Sequence, residues 1–159
     1  MKQCAMNHQS MSTSNNEVRV SIIIPSYNSG RAILSCVESV RSQIIQATFE
    51  VIVVDSSTDH TPALLETISD VKIINQDGRL FPGAARNLGA KHALGQILAF
   101  IDADCTASPH WLSILVDAHK EGHLVVGGSI ANGTPKSIIG TAEYLLEFGE
   151  FSPSSMPGR

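Results

Sequence analysis

At 159 residues, 43% hydrophobic and 16% charged, the chain has the size and composition of one globular domain able to bury a substantial core. A net charge of -4, with no Lys/Arg run and no basic stripe interleaved with aromatics, excludes nucleic-acid backbone binding as a main role. It leaves room for a mononucleotide whose phosphates a metal neutralises. Nor does any apolar stretch approach the roughly 18 residues of a membrane span.

Residues 1–17 are polar, rich in Ser, Asn, Gln and Met, and lack the basic start and apolar centre of a signal peptide. They read as a flexible N-terminal arm. From Val18 onward, short runs of Val and Ile alternate with stretches of helical period. The first strand is expected over Arg19–Pro25, and the turn after it reads Pro25-Ser26-Tyr27-Asn28-Ser29-Gly30. That turn lacks the Gly-x-Gly-x-x-Gly that brings a pyrophosphate against a helix start, which disfavours a dinucleotide-dependent dehydrogenase. Tyr27 instead offers a flat face for a base or sugar, and Asn28 offers both a donor and an acceptor.

The next helix carries Ile33, Val37, Val40 and Ile44 on one face, at i, i+4, i+7 and i+11. A second strand, Glu50–Asp55, ends in a carboxylate suited to accept an N–H from a pyrimidine or a ribose hydroxyl proton. Asp59 is placed to order the following turn or assist the cap at Thr61. Thr61-Pro62 opens a second helix, with Thr as cap and Pro at the first helical position. A third strand follows at Val71–Asn75. The third helix is expected from about Gly83 to before Gly95 and begins Gly83-Ala84-Ala85-Arg86-Asn87-Leu88-Gly89. Its small residues suit close packing on a sheet, and Arg86 supplies a planar cationic fork for phosphate or base oxygens. Arg79 and the turn Phe81-Pro82-Gly83 form a loop above the same region.

A fourth strand, Gln96–Ile101, runs into Asp102-Ala103-Asp104. Two carboxylates where a buried strand stops cost several kcal/mol unless they find a partner. A hard divalent cation with oxygen ligands makes the arrangement favourable. The plainer reading, a helix cap at Asp102 or Asp104, stands beside it. Cys105 reads as a small buried filler rather than a redox or metal ligand. The three cysteines Cys4, Cys36 and Cys105 are scattered, without Cys-x-x-Cys spacing, and point to a reducing compartment.

Ser108-Pro109 opens another helix, Leu124–Gly127 reads as a fifth strand, and Ser137–Phe148 as an amphipathic helix with Ile138, Ala142, Leu145 and Leu146 on one face. His119 and His123 lie one turn apart, but Gly122 interrupts that turn, so a solvated helix end is favoured over a metal site. Ser152 to Arg159 reads as a loop. Strands apolar on both faces and separated by helices predict an α/β fold with a largely parallel sheet flanked by helices. Right-handed crossovers then gather the ends at Pro25, Asp55 and Asp102 along one sheet edge, where such folds bind ligands.

Four motifs in this order resemble the family 2 glycosyltransferases: Val20-Ser21-Ile22-Ile23-Ile24-Pro25-Ser26-Tyr27-Asn28, Val53-Val54-Asp55, Gly83-Ala84-Ala85-Arg86-Asn87-Leu88-Gly89 and Ala99-Phe100-Ile101-Asp102-Ala103-Asp104. The likeness covers Val18 to Gly128. It implies the Rossmann-like nucleotide-diphospho-sugar transferase (glycosyltransferase-A) fold, with residues 18–159 as the N-terminal, donor-nucleotide-binding part of a C-terminally truncated transferase domain. Pro25, Tyr27, Asn28 and Asp55 would then line the nucleoside pocket, with Arg86 by base and diphosphate. Asp102 would serve ribose, and Asp104 would bind Mg2+ or Mn2+. The chain departs from the family pattern at Asp55-Ser56-Ser57-Thr58-Asp59-His60-Thr61, which lacks the second acid and both glycines expected there.

The implied reaction is inverting transfer of a sugar from a nucleotide diphosphate, with uridine as the expected nucleoside, to a hydroxyl of a saccharide, lipid-linked sugar or protein in cell-envelope polysaccharide synthesis. The implied location is cytoplasmic, compatible with peripheral association at the inner membrane face. The family's base lies downstream of the metal motif, and the late acids Glu143, Glu147 and Glu150 have no matching context, so no catalytic base is assigned. Two rivals remain. Asp102-Ala103-Asp104-Cys105-Thr106 also resembles the nucleophile motif of haloacid-dehalogenase-type phosphatases, though three apparent strands precede it here. The other is a non-catalytic nucleotide-binding unit without an acceptor half.

Overall fold

The computed structural model describes residues 20–154. Strands β1 (Val20–Ser26), β2 (Phe49–Asp55), β3 (Lys72–Asn75) and β4 (Ile97–Phe100) alternate with helices α1 (Ala32–Arg41), α2 (Thr61–Leu65) and α3 (Pro82–Lys91). Helices α4 (Trp111–Lys120) and α5 (Ile138–Phe148) and a short 3-10 turn, Gly149–Phe151, follow. The four strands form one parallel sheet in the order β3-β2-β1-β4. The α/β architecture expected from the sequence is therefore present. The expected arm at residues 1–17 and the final residues 155–159 lie outside the described residues.

Alternation along the strands sorts the core. Ile22 and Ile24 of β1 join Val51 and Val53 of β2, the α1 face of Ile33, Val37 and Val40, and Leu112 and Val116 of α4. On the opposite face Ile52 and Val54 pack against Ala85 of α3. That helix rests close to the sheet because Gly89 has no side chain: a Cβ there would stand 2.5 Å from Cγ2 of Ile23. The small-residue helix thus packs as its composition predicts. Gly95 is held tighter still, since its Cβ would meet the backbone nitrogen of Ser21 at 2.5 Å.

The chain leaves β1 toward β2 and β3 on one side and returns to place β4 on the other. The order reverses between β1 and β4, and a crevice opens at their C-terminal ends, the position where open α/β sheets take ligands.

Several expected elements differ. Leu124–Gly127 forms no strand, and Leu124 and Val125 are 87% and 92% exposed. A short apolar run becomes a strand only when a neighbour pairs with its backbone. Among the described residues the sheet stops at β4, and a groove of about 510 Å³ separates that strand from the 124–128 segment. Helix α1 ends at Arg41, before Ile44, which is exposed. Helix α2 takes His60 as its N-cap, with the predicted proline in its first turn.

Helix α4 starts at Trp111 rather than at Ser108-Pro109, because its cap comes from elsewhere. Gln43 accepts the Leu112 N–H at 2.8 Å and donates to the Ser108 carbonyl at 2.7 Å. Helix α5 begins where expected, its Ser137 hydroxyl accepting the Gly140 N–H at 3.0 Å, but it buries none of its residues.

Candidate active site

The loop after β1 is shaped by two residues in the left-handed region, Asn28 at φ 51° and Gly30 at φ 52°. A positive φ is uncommon for a side-chain-bearing residue, and asparagine tolerates it best. Here the conformation is locked from the β2 side. The Asn28 N–H donates to the Ser57 hydroxyl at 2.7 Å, Asn28 Oδ1 accepts the Thr58 N–H at 2.9 Å, and the Gly30 N–H donates to the Thr61 hydroxyl at 2.9 Å. Asp59 accepts the Thr61 N–H at 2.9 Å, and the Thr61 hydrogen bonds hold its carboxyl below the usual range. This is the turn-ordering role its position suggests.

Asp55 closes β2 beneath that loop and is 2% exposed. Its Oδ1 accepts the hydroxyls of Ser26 at 2.6 Å and Ser57 at 2.7 Å, and its Oδ2 accepts the Ser57 N–H at 3.3 Å. Three donors compensate the cost of burying the charge. Ser26 and Ser57 are the partners that sequence reasoning missed, since hydroxyl residues beside a strand end carry no distinctive pattern.

Above this floor a cavity of about 480 Å³ opens at the β1–β4 crevice, bordered by Pro25, Tyr27, Asn28, Arg79, Asp102 and Asp104. Pockets for small ligands have volumes of this order. Five of the seven residues singled out for the site thus lie on one cavity. Asp55 sits under its floor and touches it through Ser26, which also borders it. Arg86 enters from α3 as the ion-pair partner of Asp102. Pro82 and Ala85 bring the first turn of α3 to the cavity wall. Glu143, Glu147 and Glu150 do not border it.

The carboxylates of Asp102 and Asp104 differ in commitment. Asp102 is paired with Arg86, and its carbonyl accepts the Cys105 N–H at 3.0 Å and the Cys36 thiol at 3.4 Å. Asp104 is exposed, with the Cys105 thiol 3.8 Å from its Oδ1. Burial, with help from Cys105, Asp104 and Asp102, pushes the Cys36 thiol up to about 12. Burial followed by Asp104 and Asp102 raises Cys105 as well, so neither thiol is prepared as a nucleophile. Cys105 is exposed rather than the buried filler its sequence suggests.

Among the described residues no group of three or more His, Cys, Asp or Glu side chains is placed to hold a metal, His119 and His123 included. The hard oxygens of Asp104 and its neighbour nevertheless suit Mg2+ or Mn2+, which take one or two carboxylates and complete their shell with phosphates and water. The donor set fits a cation that arrives with its ligand.

A family model described as Glycosyl transferase family 2 matches residues 21–145. The chain belongs to this family. It is 36% identical over 132 residues to glycosyltransferase AglE of Haloferax volcanii, an alignment that covers 79% of this chain and 43% of AglE. Among solved structures it is similar to S. aureus TarS 1–349 in complex with UDP-GlcNAc, with a TM-score of 0.65 and 29% identity over 73% of this chain and 36% of that one. It also resembles the mannosyltransferase PcManGT from Pyrobaculum calidifontis in complex with GDP-Man and Mn2+, with a TM-score of 0.57 and 28% identity over 71% of this chain and 35% of that one. The chain therefore spans less than half the length of these relatives. Family membership leaves the phosphatase reading of Asp102-Ala103-Asp104-Cys105-Thr106 without support. No helix among the described residues is long and apolar enough to cross a membrane.

Proposed function

We propose that this cavity holds the nucleoside diphosphate of an activated sugar, and that the protein of which this fold is the donor half transfers the sugar, with inversion, to an acceptor hydroxyl. The observation that carries the reading is the convergence, at the point where strand order reverses, of an aromatic face (Tyr27), an arginine–aspartate pair (Arg86–Asp102) and an exposed carboxylate (Asp104) around one cavity. These are the three chemistries a nucleoside diphosphate requires: a surface to stack on, a polar contact for ribose, and an anchor for a phosphate-bound cation.

Tyr27 stacks the base, and Pro25 and Asn28 fix the loop that presents it. Asp55 acts from below, holding Ser26 and Ser57 in position. Arg86 balances the charge of Asp102 and leaves it aimed at ribose. Asp104 would hold Mg2+ or Mn2+, supplying positive charge to offset that of the diphosphate. Without a cation, a carboxylate about 4 Å from a phosphate charge is repelled by roughly 4 kcal/mol at an effective dielectric of 20. Such a cation, when bound, would supply Lewis-acid stabilisation for a leaving diphosphate. Asp102 and Asp104 are both committed in this scheme, so neither is assigned as the base that takes the acceptor's proton.

The complexes of TarS with UDP-GlcNAc and of PcManGT with GDP-Man and Mn2+ support a nucleotide sugar and a divalent metal. The TarS complex with UDP-GlcNAc, at 29% identity, favours UDP as the nucleotide of the donor. The family resemblance favours a saccharide, lipid-linked sugar or protein acceptor, met in the cytoplasm or at the inner membrane face.

Calorimetry with UDP and Mn2+ tests the reading. Binding that requires the metal and is lost in Asp104→Ala is the expected result, whereas binding indifferent to both overturns the assignment of Asp104. Nucleotide binding with neither donor hydrolysis nor transfer by this chain favours the second reading, a binding unit without catalysis.

A further inference from the structure

Arg79 has no role in the scheme above, and its placement is specific. Its guanidinium carbon stands 4.6 Å from the centre of the Tyr27 ring and 5.4 Å from that of Phe81. The loop that carries it is pinned on both sides. The Gln76 N–H donates to the Asp55 carbonyl at 2.9 Å, and the Leu80 N–H donates to the Ser56 hydroxyl at 3.1 Å. The Leu80 side chain packs on the smaller core cluster, and Gly78, at φ 81°, makes the turn between the anchors. The backbone on either side of Arg79 is thus fixed to β2, while the long side chain stays exposed at the cavity wall.

We infer that Arg79 is the second jaw of the nucleobase subsite: the base enters between the Tyr27 ring and the Arg79 guanidinium and is stacked on both faces. This rests on the nucleotide reading of the cavity. Two stacked contacts need the jaws about 7 Å apart, twice the usual separation of touching carbon atoms. In the structure they are in direct contact, so the guanidinium lifts by about 2 to 3 Å to admit a base. Rotation of its methylene stem supplies that movement without disturbing the anchored loop. Phe81, exposed beside it, offers the cation an aromatic face throughout, which lowers the cost of leaving Tyr27. Guanidinium is suited to the role because it is planar, stacks on rings and is weakly hydrated, properties a lysine does not share.

Two-dimensional NMR titrations of the full chain in Mn2+-free buffer with uridine and guanosine, and calorimetry with UDP and GDP plus Mn2+, test the inference in wild type, Arg79→Ala and Arg79→Lys. Both variants are expected to bind nucleoside and nucleotide about 5- to 10-fold more weakly, by the same factor for each, with lysine failing to rescue. Unchanged or tighter binding in Arg79→Ala overturns the inference and makes the residue a cover for Tyr27. A loss confined to the diphosphates and restored by lysine also overturns it, in favour of a phosphate contact. If wild type binds none of the four ligands, the nucleotide reading itself falls. If it binds them and the variants do not differ, only the Arg79 jaw falls.

Discussion

The chain from Val20 to Lys91 and the chain beyond Glu121 both carry runs of Ile, Leu and Val, yet they treat them in opposite ways. In the first region Ile22, Ile23, Ile24, Ile52 and Val53 are sealed from solvent, whereas Val125, Ile138 and Leu146 of the second stand almost wholly in water. The difference lies in partners rather than in residues. Each strand of the first region is flanked by another strand or a helix, while α5 meets no strand or other long helix closely. It is held by the 3-10 turn that follows it and by the 130–134 segment, through the Tyr144 hydroxyl on the Ile130 carbonyl and Asn132 on Thr141. The contrast teaches that the cavity is built on the stable region, and that the second region adds little to the free energy holding it.

The largest effect that would test this contrast is expected at Ile24, inside the main core cluster. Ile24→Ala should cost about 2–5 kcal/mol in urea denaturation. A smaller loss would mean that the first region is less tightly packed than its burial indicates. Next comes Asp55→Ala, which strands the Ser26 and Ser57 hydroxyls. It should cost about 1–3 kcal/mol and weaken nucleotide binding more than any substitution beyond residue 121, read by calorimetry against UDP.

Cys36 sharpens the comparison through pH. Its thiol is raised from 9.0 to about 12, so the folded state keeps the proton in a range where the unfolded chain releases it. Stability from this group is fully present below pH 9 and falls as pH climbs from 9 toward 12. The urea midpoint should decline over that range, and less steeply in Cys36→Ala. The smallest effects are expected in the second region, where Val125→Ser and Leu146→Ser should each change stability by no more than about 0.5 kcal/mol. Amides of 121–151 should exchange well before those of β1 and β2. Slow exchange there would show that the region is held by more than these contacts.

Much of the stable region was legible from the chain itself, because strands buried on both faces announce themselves as unbroken Val and Ile runs. The ends of those strands gave Pro25, Asp55 and Asp102 their common edge. The Leu124–Gly127 run looks equally apolar, and its failure as a strand depends on pairing, which no local pattern encodes. The cap of α4 by Gln43 was hidden for a related reason, since its partners lie 65 and 69 residues away. Within the site, five of the seven expected residues border the cavity, while Asp55 lies beneath it and Arg86 reaches it only as the partner of Asp102. The serine cradle of Asp55 and the stacking of Arg79 on Tyr27 arise from side-chain directions that only the folded loops define.

The bare backbone at Gly89 has an electrical consequence. Gly89 and Arg86 share one turn of α3, so the height at which the helix rides over Ile23 also governs the reach of the guanidinium toward Asp102. A methyl group inserted as a shim in Gly89→Ala would tilt that lever and loosen the pairing, altering the charge felt at the pocket mouth with no ionisable residue replaced.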